Sequence, residues 1–236
     1  MNKPLIIAMD FADKQTADAF LGRFENEKLF LKIGMELFYR EGPALVNQWK
    51  SEGHDIFLDL KLHDIPNTVK QAAKQLASLE ADLITVHAGG GINMMEAAKE
   101  GLEAGQPVGS STKCIAVTQL TSTSKRMLKE ELLIEKPLED TVAEYAGNTD
   151  KAGLDGVVCS ALEVPLIKEH VRTGFQTVTP GIRQPEHAAD DQERIVTPEK
   201  AKELGSDAIV VGRSITRADD AVSAYQQINK AWRNET

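Results

Sequence analysis

Hydrophobic positions along the chain gather in short, dense runs, separated by longer stretches with a different rhythm. The runs are LIIAMD (5–10), LFLKIGM (29–35), DIFLDLK (55–61), DLITVHAGG (82–90), KCIAVTQLTS (113–122), GVVCSAL (156–162), FQTVTPGIR (175–183) and DAIVVGRS (207–214). Their centres are nearly continuous in Val, Ile and Leu, the composition of parallel strands covered on both faces. The intervening stretches show helical spacing. Ala17, Phe20, Leu21 and Phe24 fall at i, i+3, i+4 and i+7, and Val69, Ala72, Ala73 and Leu76 repeat that pattern. Thr197, Pro198 and Glu199 read as an N-cap, a proline at the first helical position and an acid in the first turn. Ala221, Ala224, Tyr225, Ile228 and Trp232 predict a closing helix.

Strand and helix alternating eight times predict a (β/α)8 barrel, one domain over residues 1–236. A doubly wound open sheet is the competing arrangement. No GxGxxG follows the first run and the alternation continues to the last residues, which favours the barrel. The wide interval 123–155 holds two helical patterns and no linker.

Net charge of −9 disfavours a long polyanion such as DNA or RNA as the main partner, while leaving room for a small anion held by a few focused cations. The two cysteines, Cys114 and Cys159, each lie in an apolar run and read as buried reduced thiols, without disulfide or metal spacing. No stretch approaches the ~18 apolar residues of a membrane span, and the N-terminal run is too short for a signal peptide. These features predict a cytoplasmic protein.

Barrel enzymes carry their chemistry at the C-terminal ends of the strands. Those positions hold Asp10, Lys32, Asp59, Lys61 with Asp64 just beyond, His87, Thr121, Pro180 to Arg183, and Gly212 with Arg213. Asp59 and Lys61 stand at i and i+2, so a regular strand projects both to one face and sends Leu58, Leu60 and Leu62 to the other. A lone DxK is as readily a structural ion pair. Lys32 on the neighbouring strand and Asp64 close behind turn the balance towards function. The loops TPGIR (179–183) and VGRSIT (211–216) stand where barrels bind phosphate, with Gly181 and Gly212 for close backbone approach and Arg183 and Arg213 for charge. His87 has no second strand-end histidine beside it, which favours a supporting hydrogen-bonding role over metal binding. Of the other histidines, only His63 lies inside the charged stretch.

The segment DLKLHDIPNTV (59–69) resembles the DxKxxDIPxT signature of the orotidine 5'-phosphate decarboxylase family. AMD near the start, LKIG around Lys32, VHAGGG, VTQLTS, TPGIR, DQERIVTP and VGRSIT extend the likeness over nearly the whole chain, in family order. The resemblance implies decarboxylation of orotidine 5'-monophosphate to UMP without metal or organic cofactor, in a homodimer with shared sites. It implies an alternating network of Lys32, Asp59, Lys61 and Asp64, the last from the second subunit, with Lys61 as the acid that protonates C6. Asp10, Lys32 and the second subunit's Thr68 then contact ribose, and Thr121 the pyrimidine. Arg183, Gln192, Gly212 and Arg213 contact phosphate, with Gln192 bridging towards the base. Asp64, Ile65 and Pro180 complete the substrate-binding set.

Two relatives of that fold are the rivals. A magnesium-dependent sugar-phosphate decarboxylase or aldolase shares DxKxxD but needs an acid on the second strand, where this chain has Lys32. An epimerase needs several strand-end histidines. A non-catalytic phosphate-binding barrel accounts for the arginines and not for alternating Lys and Asp.

Overall fold

A computed structural model describes residues 3–25, 27–183 and 195–233. Eight parallel strands close into a barrel in sequence order: β1 (Leu5–Ala8), β2 (Phe30–Gly34), β3 (Asp55–Leu62), β4 (Leu83–His87), β5 (Lys113–Val117), β6 (Gly156–Val158), β7 (Gln176–Thr179) and β8 (Ala208–Val211), with β8 pairing back onto β1. The predicted fold is the observed one.

The helices are α1 (Lys14–Leu21), α2 (Met35–Glu41), α3 (Pro43–Ser51), α4 (Pro66–Ala77), α5 (Ile92–Gly105), α6 (Lys125–Glu130), α7 (Leu138–Lys151), α8 (Val164–His170), α9 (Pro198–Glu203), α10 (Arg213–Thr216) and α11 (Ala221–Arg233). The interval between the fifth and sixth strands holds α6 and α7, the two helices its pattern predicts. Helix α4 buries Val69, Ala73, Leu76 and Ala77 along one stripe, and α11 buries Ala221, Tyr225, Ile228 and Trp232. Thr197 caps α9 by accepting the Lys200 N–H. Helix α1 stops before Phe24, which is buried from a 3-10 turn instead.

Strand alternation divides the core into two compartments. Ile7, Leu31, Ile33, Ile56, Leu58, Ile84, Val86, Ile209 and Val211 face outward and pack under the helices. Ile6, Ala8, Phe57, Leu83, Ile115, Val178, Ala208 and Val210 fill the barrel itself. Full burial of such side chains contributes about 1.5–3 kcal/mol each. Cys114 and Cys159 are buried and free, and burial pushes the Cys114 thiol well above its ordinary range, away from the reactive thiolate. Among the described residues, no helix is long and apolar enough to cross a membrane.

Helices α4 and α5 lie unusually close. A Cβ on Gly101 or Gly105 would overlap the carbonyl oxygen of Lys70 or Lys74, so only glycine permits this approach. The contact anchors α4, whose N-terminal end follows the rim of β3 and so sets where Asp64 and Ile65 stand.

Candidate active site

The polar mouth grows from the apolar interior by continuing the same inward rows. Two residues beyond Ala8 comes Asp10, two beyond Phe30 comes Lys32, two beyond Phe57 comes Asp59, and two beyond Leu83 comes Thr85. Parallel pairing sets these rows side by side: Ala8 is in register with Lys32, and Lys32 with Phe57. The result is a charged rim on a packed hydrocarbon floor.

Three of these side chains and Lys61 form a chain of alternating sign. Lys32 Nζ lies 3.0 Å from Asp10 Oδ1 and 3.7 Å from Asp59 Oδ2, and Lys61 Nζ lies 2.9 Å from the same Asp59 oxygen. The Lys32 and Asp59 side chains are only 12% and 14% exposed, whereas Asp10 is 63% exposed. The inner pair is therefore shielded from water and interacts strongly, and the Asp10 leg is screened despite its shorter distance.

Asp59 and Lys61 share a site, but not through regular alternation. Leu58 pairs with Ile84 and Leu62 with Val86, so four steps along β3 (58 to 62) span two along β4 (84 to 86). This irregularity is a bulge, and Lys61 within it has φ +51°, the left-handed region that disfavours a lysine by roughly 1–2 kcal/mol. The Lys61 N–H donates to Thr85 Oγ1 at 2.9 Å, and the Thr85 hydroxyl donates to Asp59 Oδ1 at 3.1 Å. The i, i+2 expectation thus reached the right neighbours by a geometry that is not a regular strand.

A cavity of about 250 Å³ occupies this mouth, on the scale of a small-molecule site. Asp10, Lys32, Asp59 and Lys61 line it together with Pro180, Gly181, Arg183, Gly212 and Arg213. Thr121 lines it as well, four residues beyond the end of β5 rather than at the strand end. Gly181 has φ +79°, a conformation that glycine takes freely. Phe57, Val117 and Val158 supply apolar lining, and the buried Gln119 adds an amide.

Asp64, Ile65 and Thr68 are not among the lining residues; all three are exposed, and Asp64 Oδ1 accepts the Ile65 N–H at 2.6 Å. Gln192 lies outside the described residues. His87 stacks on His63 with ring centroids 5.1 Å apart, and its Nδ1 accepts the Gly89 N–H at 3.0 Å. Burial holds the His87 pKa below its ordinary value, and the nearby charges of His63 and Lys61 add to that, which favours the neutral ring. Among the described residues, no group of three or more His, Cys, Asp or Glu is arranged to hold a metal ion.

Thr85 and Gln119 are polar side chains at this site that the sequence reading missed. A threonine inside an apolar strand reads as an ordinary β-former. The only available signal was its place on the inward row, two residues before His87.

Residues 3–228 match the model of the orotidine 5'-phosphate decarboxylase / HUMPS family. An orotidine 5'-phosphate decarboxylase of Bacillus anthracis is 56% identical over 237 residues, covering all of both chains. One from Geobacillus sp. (strain WCH70) is 56% identical over 236 residues, covering all of this chain and 99% of that one. The solved structure of orotidine 5'-phosphate decarboxylase from Lactobacillus acidophilus superposes with a TM-score of 0.89 at 43% identity, over 98% of this chain and 99% of that one. With full-length likeness in sequence and in barrel, and the charged rim where such a barrel carries its chemistry, the chain belongs to the orotidine 5'-phosphate decarboxylase / HUMPS family.

Proposed function

We propose that this protein converts orotidine 5'-monophosphate to UMP and CO2 in the pocket above, with Lys61 as proton donor and no metal or organic cofactor. The observation that carries the reading is the alternating Asp10–Lys32–Asp59–Lys61 chain sharing one small cavity with Arg183 and Arg213. The relatives named as decarboxylases, alike over their full length, supply the substrate.

Loss of CO2 breaks the bond from C6 to the carboxylate and leaves the electron pair on C6, in the plane of the ring, where resonance delocalises it poorly. An ammonium placed beforehand stabilises that charge and then gives it a proton. Lys61 is suited to both steps, becoming a neutral amine that water reprotonates. Asp59, held by two ammonium groups, can face the substrate's own carboxylate, a repulsion that departure of CO2 relieves. Binding of the remote phosphate at the β7 and β8 loops offsets the cost of that crowding.

Metal independence rests on Lys32. Its ammonium lies 3.7 Å from Asp59, and a cation there opposes a divalent ion on that carboxylate. Asp64, Ile65 and Thr68 are exposed beside the mouth, Ile65 to 67%, an uncommon state for isoleucine that suits burial by a second copy. That exposure and the family likeness support a homodimer in which each copy lends Asp64, Ile65 and Thr68 to the other's pocket, and likeness to bacterial metabolic enzymes supports the cytoplasm as its place.

The test is the absorbance of orotidine 5'-monophosphate over purified, EDTA-treated protein. Loss of the orotate chromophore with formation of UMP is expected. No turnover would overturn the reading, and turnover only after Mg2+ is restored would move it to the metal-dependent relatives.

A further inference from the structure

We infer that Thr85 is a positioning residue for this reaction: its one hydroxyl sets the backbone of Lys61 and the carboxylate of Asp59 relative to each other. The inference rests on the decarboxylase reading and adds a residue that neither the signature motif nor the charge pattern contains. Thr85 is fully buried in β4. Its Oγ1 accepts the Lys61 N–H at 2.9 Å and donates to Asp59 Oδ1 at 3.1 Å.

The direction of both hydrogen bonds is forced. A backbone N–H can only donate and a carboxylate can only accept, so the hydroxyl proton must point to Asp59 and a lone pair to Lys61. The bulge makes this necessary. Between Leu58 and Leu62 the ladder to β4 is out of register, and the Lys61 amide takes a side-chain acceptor there. Lys61 also holds φ +51°, which persists only where its surroundings over-determine it. With Oδ1 tied to Thr85, Oδ2 is the Asp59 oxygen turned to Lys61 Nζ at 2.9 Å and Lys32 Nζ at 3.7 Å. The orientation of the carboxylate and the approach of the ammonium therefore depend on one atom of a side chain that carries no charge. Arg183 and Arg213 line the same cavity from beyond β7 and β8, whereas Thr85 stands in β4.

This role predicts a split between turnover and binding. Thr85→Val keeps the shape of the side chain and removes the hydroxyl. Its kcat should fall roughly 10- to 100-fold per binding site, the loss expected when a hydrogen bond to a charged group is removed from the reacting constellation. KM, the calorimetric Kd for UMP and the number of UMP sites should stay within about threefold. Thr85→Ser, which restores the hydroxyl, should recover kcat to within about threefold of wild type. Thr85→Ala is run alongside and should behave as Val does, so that misfolding of one variant does not decide the matter. Normal turnover in Val and Ala, or a Ser variant as poor as Val, would overturn the inference. A loss that tracks the number of UMP sites would also overturn it, leaving Thr85 a purely structural residue. Inactive wild-type protein would sink the decarboxylase reading itself, a result distinct from active wild type beside unimpaired variants.

Discussion

Replacing Lys32 by methionine tests the electrostatic logic of the site more sharply than removing the proton donor does. The change keeps the apolar stem and approximate volume and deletes one positive charge. Asp10 is 63% exposed and so screened, whereas Asp59, 14% exposed and 3.7 Å from Lys32, goes from two ammonium neighbours to one, Lys61. The wild-type chain of two acids and two lysines sums to zero, and the variant sums to −1. Bringing the substrate carboxylate to about 6 Å from one uncancelled charge at an effective dielectric near 20 costs about 3 kcal/mol. That corresponds to roughly 150-fold in kcat/KM. UMP lacks the C6 carboxylate and should lose no more than about tenfold in affinity. Steady-state turnover of orotidine monophosphate and calorimetric titration with UMP measure the two effects. If kcat/KM stays within tenfold of wild type, or UMP affinity falls as far as kcat/KM, charge balance at Asp59 is not what Lys32 provides.

Four further outcomes are expected. Lys61→Ala should abolish turnover while UMP still binds; near-normal turnover would show that the proton comes from elsewhere. Arg213→Ala should weaken the phosphorylated substrate by about 2–3 kcal/mol and harm the corresponding nucleoside far less, and equal losses would place Arg213 outside the phosphate site. Mixing inactive Lys61→Ala and Asp64→Ala proteins should restore roughly 25% of wild-type activity if sites are shared, because half the dimers are mixed and each of these has one intact site. No recovery despite confirmed subunit exchange would rule sharing out. Gly101→Ala should destabilise the fold by about 1–3 kcal/mol in urea unfolding, since the new Cβ meets the Lys70 backbone and overrides the usual gain of alanine in a helix. An unchanged or raised midpoint would mean that α4 and α5 can separate without cost.

The barrel was legible because its strands are buried on both faces and its helices on one, so the change of period marks every boundary that packing enforces. The charged rim was legible for a related reason: Asp10, Lys32 and Asp59 interrupt apolar rows that otherwise continue inward. Thr85 escaped because a hydroxyl does not interrupt such a row; its role exists only through the two groups it touches. Thr121 was assigned to a strand end and belongs to the following loop, where the path depends on turn geometry that hydrophobic pattern does not encode. The bulge was invisible for a deeper reason. DLKL alternates perfectly well as letters, and only its pairing with β4 reveals four residues set against two.

The two surplus residues in β3 bear on any attempt to move this chemistry to another scaffold. Copying Asp-x-Lys onto a straight strand of an unrelated barrel would reproduce the spacing in letters and place the lysine one pleat further along an unkinked backbone. The ammonium would rise towards solvent instead of folding back to within 2.9 Å of the carboxylate. A faithful graft has to carry the neighbouring strand with it, hydroxyl included, and choose a recipient whose loop after the strand tolerates a shifted exit. Conversely, deleting a single residue between Leu58 and Leu62 would exchange inward and outward faces from that point on. Leucine would then stand at the mouth and a charge would press against the helices, a lesion no local repacking could absorb.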